Sequence, residues 1–237
     1  VVDDPSDAQG IIFAVAPSGD SAYLVAFTDL MAQRDLLYED TIINGEDTIY
    51  NLHINYTFYA NPIAWSEKLF ECGATDKDGR VNTDRIIKMA TDSAYGATAA
   101  QECRNYFKRS YRDTVEQSTY NRDTKWASTK GQWYLPSMEE LAALMKVRDR
   151  INQRYLLGTP ASDAANRIYF QAIGDKPNLD IQGKDAVFAY WSSTEHGKQY
   201  AWYDLPASND DNYVPKTWSD EGGEGRIYVR PIRKVAL

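Results

Sequence analysis

The run Ser137-Met138-Glu139-Glu140 constrains this chain more than any other. A serine followed three residues later by glutamate, ahead of Leu141, Leu144, Ile151 and Tyr155 at helical spacing, is a capping box. The Ser137 hydroxyl accepts the Glu140 N–H, and the Glu140 carboxylate accepts the Ser137 N–H. A helix therefore begins after Ser137, and Gly158 and Pro160 stop it. Trp133-Tyr134-Leu135-Pro136, just before the box, reads as scaffold that delivers the chain to that start. Downstream the pattern changes. Residues 168–172, 187–192, 199–205 and 226–235 are short, aromatic or β-branched runs separated by Gly, Asp, Asn and Pro, which predicts four strands.

Upstream, the apolar runs 11–15 and 23–27 flank Pro17-Ser18-Gly19-Asp20 and predict a β-hairpin. Residues 34–61 are polar and Tyr-rich and read as an insertion, with a strand pair around Asn44-Gly45. Residues 62–70 are expected to start a helix, with Asn61 as cap and Pro62 at its first position. Asn82-Thr83-Asp84 ahead of Ile86, Ile87 and Met89 predicts another capped helical start. Residues 97–107 are Ala-rich, lack Gly and Pro, and predict a helix. Residues 110–130 are charged and polar and read as loop. Helices early and short strands late give an α+β fold in one domain, residues 10–237, behind a tail of residues 1–9.

Charge narrows the partners. A net charge of −8 works against nucleic acid and anionic membrane, which attract a positive surface. No stretch approaches the ~18 apolar residues of a membrane span. The polar start Val1-Val2-Asp3-Asp4-Pro5 reads as a mature or trimmed end whose targeting segment has been removed, consistent with a lipid anchor upstream. Cys72 and Cys103 fit no metal pattern, and their spacing leaves open both a disulfide and two buried thiols. Seventeen Tyr and six Trp supply large, stiff, amphipathic side chains suited to wet cores and to binding faces.

Eight landmarks in order carry a resemblance. They are Gly10-Ile11-Ile12-Phe13, Ala64-Trp65-Ser66, Gly79-Arg80-Val81-Asn82-Thr83-Asp84 and Ala99-Ala100-Gln101-Glu102-Cys103-Arg104, followed by Trp133-Tyr134-Leu135-Pro136-Ser137, Tyr190-Trp191-Ser192-Ser193-Thr194-Glu195, Ala201-Trp202-Tyr203 and Val229-Arg230-Pro231-Ile232-Arg233. From about Gly10 to the end the chain resembles the Lcl C-terminal domain family of bacterial surface and secreted proteins. That family is similar to the C-type-lectin-like fold, which implies two helices on a small irregular antiparallel sheet with neighbouring termini. It also implies an extracytoplasmic place, at the cell surface or in the periplasm, and places ligand contact on the C-terminal face that some related lectin-like modules diversify. The segments 34–61 and 104–130 depart from the compact pattern.

Trp191 and Trp202 lie on consecutive predicted strands beside Ser192, Ser193 and Thr194. A sugar-stacking platform and a packing anchor are both readings, and packing is preferred because a Trp framed by small hydroxyls needs an N–H partner. They stand as scaffold with Trp133, Pro136, Ser137 and Glu140. Ligand contact is expected from residues 195–225, where loops collect recognition groups: Glu195, His196, Lys198, Asn209, Asp210, Asn212, Tyr213 and Trp218. Arg230 joins them as a candidate for an anionic sugar, set against a structural pairing with the chain's acids, which is preferred. No metal or cofactor is expected: Asp76-Lys77-Asp78-Gly79 lacks the later ligands of an EF-hand, and a solvated acidic loop is preferred for Asn209-Asp210-Asp211-Asn212. His53 and His196 form no catalytic or metal spacing, and no nucleophile elbow or phosphate loop occurs. The expectation is a non-enzymatic binding module for a glycan or a cell-surface protein, an adhesin-like role. The alternative is a structural or tip subunit of a bacterial surface filament.

Overall fold

The first hairpin closes as its turn residues dictate. β1 (Ile11–Val15) and β2 (Ser21–Val25) run antiparallel, and the turn places Gly19 at φ +72°, a conformation glycine adopts without strain. The computed structural model describes residues 8–27, 29–44, 47–60, 63–92, 99–106, 128–157, 173, 189–204, 212–218 and 227–237. β3 (Met31–Asn44) and β4 (Asp47–Ala60) pair with each other from Met31–Ala60 to Asn44–Asp47. The strand pair expected around Asn44-Gly45 is therefore present and much longer than the motif announced. No other strand among the described residues pairs with either.

The helix expected over 62–70 does not form: residues 63–78 are irregular, and Asn61 and Pro62 lie outside the described residues. Tertiary partners take the backbone groups that a helix would need. Ser66 N–H donates to Lys216 O at 3.0 Å, and the Ile63 and Phe70 carbonyls accept from Trp191 Nε1 and Lys216 Nζ. Helix α1 (Gly79–Asp92) begins earlier than Asn82-Thr83-Asp84 predicted. Its cap is Asp78, whose Oδ1 accepts the Val81 N–H at 3.0 Å. Asn82 and Thr83 are instead buried ties. Asn82 holds Thr75 through both amide atoms and reaches Ser193 Oγ at 3.0 Å, while Thr83 Oγ1 accepts the Leu135 N–H at 3.0 Å. Helix α2 (Ala99–Asn105) occupies the middle of the Ala-rich run.

Helix α3 (Met138–Leu157) starts at the capping box. Ser137 N–H donates to Glu140 Oε2 at 2.9 Å, and Glu140 N–H to Ser137 Oγ at 3.3 Å. The same carboxylate accepts the Gly79 N–H at 3.1 Å and the Tyr134 hydroxyl at 3.1 Å, tying the start of α1 to the start of α3. Burial holds the Glu140 carboxyl above the usual carboxylate range, against those hydrogen bonds.

Four strands follow: β5 (Ala189–His196), β6 (Tyr200–Asp204), β7 (Tyr213–Pro215) and β8 (Ile227–Tyr228); β9 (Ile232–Ala236) ends the order. They correspond to three of the four predicted runs, the last divided in two around Pro231, with β7 unforeseen; residues 168–172 lie outside the described residues. The fold is α+β, but the expected single antiparallel sheet is divided. β1-β2-β9 form one sheet and β7-β6-β5-β8 another, in which β5 and β8 are parallel. Tyr134 bridges to Ile232 at the border of the first sheet.

Alternation along β5 and β8 separates two apolar clusters. Ala189, Trp191, Ile227 and Val229 face Trp65, Phe70, Ile86 and Leu135. Tyr190 and Tyr228 face Ile11, Phe27, Leu141, Leu144 and Ile232. Arg230, in the link between β8 and β9, lies among the fully buried side chains. Its Nε and Nη2 donate to the Ala26 and Phe27 carbonyls at 2.9 Å, and Nη1 meets Asp29 Oδ1 at 3.0 Å.

Candidate functional aromatic face

Strands β5, β6 and β7 place five side chains on one outward face. His196 pairs with Tyr200, Tyr200 with Pro215, and Trp202 with Tyr213. Because side chains alternate, Ala201 turns inward to full burial and Tyr203 packs edge-on against Trp191, centroids 6.4 Å apart. On the outer face the His196 and Tyr213 rings stack at 4.1 Å and 26°. Trp202 meets both edge-on, at 4.9 Å from His196 and 5.3 Å from Tyr213, and Tyr200 meets Tyr213 at 5.5 Å. Tyr213 is 43% exposed, His196 is exposed, and Tyr200 and Trp202 are half-buried.

The polar edges of these rings separate them from the core aromatics. Trp65 and Trp191 donate their indole N–H to the Ser192 and Ile63 carbonyls at 2.9 and 2.8 Å, and Trp133 donates to Thr129 Oγ1 at 3.4 Å. Tyr134 and Tyr190 place their hydroxyls on Glu140 and Asp29. Among the described residues, the Trp202 indole N–H, the Tyr200 and Tyr213 hydroxyls and the His196 ring nitrogens have no such partner. A buried aromatic finds a hydrogen-bond partner in the protein; these rings hold theirs open to whatever meets the face.

Beneath the face, Glu195 and Lys216 lock β5 to β7. Lys216 Nζ lies 2.6 Å from Glu195 Oε1 and 2.6 Å from Phe70 O, with both side chains almost wholly buried. The Glu195 carboxylate also accepts the Cys72 and Ala74 N–H groups at 3.1 and 2.9 Å, and the Lys216 ammonium sits 4.6 Å from the centroid of the Trp65 ring. Burial, reinforced by the Glu195 charge, pushes the Cys72 thiol up to about 12 against the opposing pull of Lys216. A thiol held protonated in this way is a poor nucleophile.

Several sequence expectations change here. Glu195, expected at the ligand face, is instead held by an internal ion pair and by backbone groups, while Arg230 takes the structural pairing preferred for it, with Asp29. Arg230 precedes β9, while Arg233 lies within it and meets Gln9. Trp202 is not a core anchor but a member of the outer cluster, whereas Trp133, Pro136, Ser137 and Trp191 are buried as scaffold. Cys72 and Cys103 form no disulfide; both are free thiols, Cys103 fully buried and its thiol held well above the usual range. His196, Lys198, Tyr213 and Trp218 are exposed; Trp218, 38% exposed, follows the tight turn that ends β7. Asn212 is half-buried, its carbonyl accepting the Tyr203 N–H at 2.9 Å. Asn209 and Asp210 lie outside the described residues. Sequence reasoning missed Tyr200 and the outward role of Trp202. Their i, i+2 spacing around the small Ala201 was the available signal.

Among the described residues no group of three or more His, Cys, Asp and Glu is placed to hold a metal ion, and no helix is long and apolar enough to cross a membrane. No protein-family model matches this chain, and no curated protein matches it in sequence.

Proposed function

We propose that this chain is a non-enzymatic, extracytoplasmic binding module that holds a carbohydrate on the outer face of β5, β6 and β7. The observation carrying this reading is the contrast in polar edges. Trp65, Trp133 and Trp191 have paired indole N–H groups, while Trp202 stands in a solvent-facing cluster with its own unpaired among the described residues. Sugar rings present apolar C–H faces and a rim of hydroxyls, so they need rings to lie on and donors or acceptors beside them. Tyr200, Trp202, Tyr213 and His196 combine both. Loops and strand edges on a rigid scaffold suit recognition, and the Glu195–Lys216 pair supplies rigidity from below.

Membership in the Lcl C-terminal family and a C-type-lectin-like fold belong to this proposal. In its favour, β2 pairs antiparallel with β9, so an early and a late strand share one sheet, and α1 and α3 pack against β5. A glycan array probed with the unaltered protein and with its Trp202→Ala and Tyr213→Ala variants tests the reading. Loss of a defined glycan signal in both variants supports it, and absence of any signal from the unaltered protein defeats it.

One observation favours the filament-subunit alternative. β3 and β4 form a two-stranded ribbon with no third strand among the described residues, and such ribbons gain stability by pairing with further strands. Co-purification in a surface complex, lost on deleting residues 31–60, would support that role.

A further inference from the structure

We infer that this face takes a linear, equatorially linked glycan lengthwise along β7, with Trp218 as a second stacking position beyond the β5–β7 cluster. The inference rests on the carbohydrate reading above and adds the class of glycan and its direction. Its basis is where the exposed rings stand. Among the described residues, Tyr213 and Trp218 are the only exposed Tyr or Trp side chains, and they bracket one short strand, β7. Tyr213 opens β7 opposite Trp202, and Pro215 closes it opposite Tyr200, on the same outward face. The Trp218 N–H then donates to the Pro215 carbonyl at 3.0 Å. That tight turn holds the Trp218 backbone within about 7 Å of Pro215. Among the described residues Trp218 makes no ring contact with the His196–Tyr213–Trp202 cluster, so it is a separate platform.

The backbone between the two platforms is held from both sides. Lys216 donates its N–H to the Gln199 carbonyl and accepts the Ser66 N–H, each at 3.0 Å, so β6 and the irregular segment 63–70 fix its position. Its ammonium is drawn inward to Glu195 and to the Phe70 carbonyl, each at 2.6 Å. Two platforms fixed in this way suit a ligand whose own rings repeat along a line. An all-equatorial pyranose carries apolar C–H groups on both faces. Equatorial bonds to its neighbours keep the chain extended, so successive rings can lie on Tyr213 and then on Trp218. Axial linkages coil a chain and turn successive rings away from a common surface. A single sugar would use one platform and leave the other bare.

Calorimetric titration of the full chain with cello-oligosaccharides and chito-oligosaccharides of two to six rings tests this, with malto-oligosaccharides and poly-L-proline as comparisons. In at least one equatorially linked series, affinity should rise by at least about tenfold from the disaccharide to the longest member. Trp218→Ala should remove that gain and leave the disaccharide affinity unchanged. Trp218→Tyr should keep most of the gain, and Trp202→Ala should weaken binding at every length. Affinity independent of length, or a gain untouched by Trp218→Ala in a protein that melts like the parent, overturns the lengthwise placement and leaves a carbohydrate site. Preference for the malto series overturns the equatorial assignment and also leaves a carbohydrate site. Binding of neither equatorial series overturns the inference, while a signal from another glycan on the array keeps the carbohydrate reading. Binding of poly-L-proline in place of every oligosaccharide overturns both, since an extended proline helix also docks on aromatic strips.

Discussion

The imidazole of His196 lies face to face with the phenol ring of Tyr213, 4.1 Å between centroids, at the junction of β5 and β7. The two residues come from strands that do not pair directly; β6 lies between them and contributes Tyr200 and Trp202 to the same cluster. Outward display of the cluster therefore depends on what fixes β5 and β7 from below.

That fixing contact is the Glu195–Lys216 pair. Lys216→Met leaves a buried carboxylate without its counter-charge and should lower unfolding free energy by about 3–5 kcal/mol. The double change Glu195→Gln with Lys216→Met should recover part of the loss. Urea unfolding of the three proteins checks this, and a Lys216→Met protein as stable as the parent would contradict it.

Glu140 couples two helix starts, so its substitution should appear in the pH dependence of stability. Its folded pKa is raised by burial, so the folded state binds more protons than the unfolded state above the ordinary carboxylate value. Its contribution is fully present below the unfolded pKa and is lost as pH rises through the folded pKa. Glu140→Gln keeps an acceptor for the Ser137 and Gly79 N–H groups and removes the titration. Unfolding followed from pH 4 upward should show the parent losing stability relative to Glu140→Gln; parallel curves would refute the coupling.

Gly79 is required by contact, not by backbone angle. A Cβ there meets the Leu135 carbonyl at 2.5 Å and the Ser137 nitrogen at 2.6 Å, with the Glu140 carboxylate closer still. Gly79→Ala should cost about 1–3 kcal/mol, measured by denaturant midpoint, because the surrounding atoms are backbone.

The cysteines should behave as two unequal buried thiols. Mass spectrometry after alkylation in denaturant should find both modified without prior reduction. In the native protein at neutral pH, Cys72 should alkylate far more slowly than in denaturant, since its thiol is pushed up to about 12. Equal native and denatured rates would contradict the placement of Cys72 against Glu195.

The readable parts of the chain were those decided locally. The Ser137–Glu140 box, the Gly19 turn and the paired runs 11–15 and 23–27 rest on contacts between near neighbours in sequence, and each formed as its residues indicated. Residues 63–78 misled because the helical start signal at Asn61-Pro62 says nothing of partners more than a hundred residues away. Trp191, Ser192, Glu195 and Lys216 supply those partners and hold the segment irregular. Glu195 misled for the same reason, since a charged residue near a loop becomes internal when Lys216 arrives from another segment; Arg230 found the acidic partner preferred for it, in Asp29. Of the outer aromatic face, His196 and Tyr213 were legible from their setting. Trp202 and Tyr200 became legible only once register placed them on the side opposite Ala201.

The most direct measurement is glycan binding by Trp202→Ala beside its thermal unfolding. Truncating a half-buried ring on an outer sheet face should cost no more than about 1 kcal/mol of stability. The Trp202→Ala protein is expected to fold and melt close to the parent and to have lost its glycan signal. Undiminished glycan binding by a folded Trp202→Ala protein would contradict it.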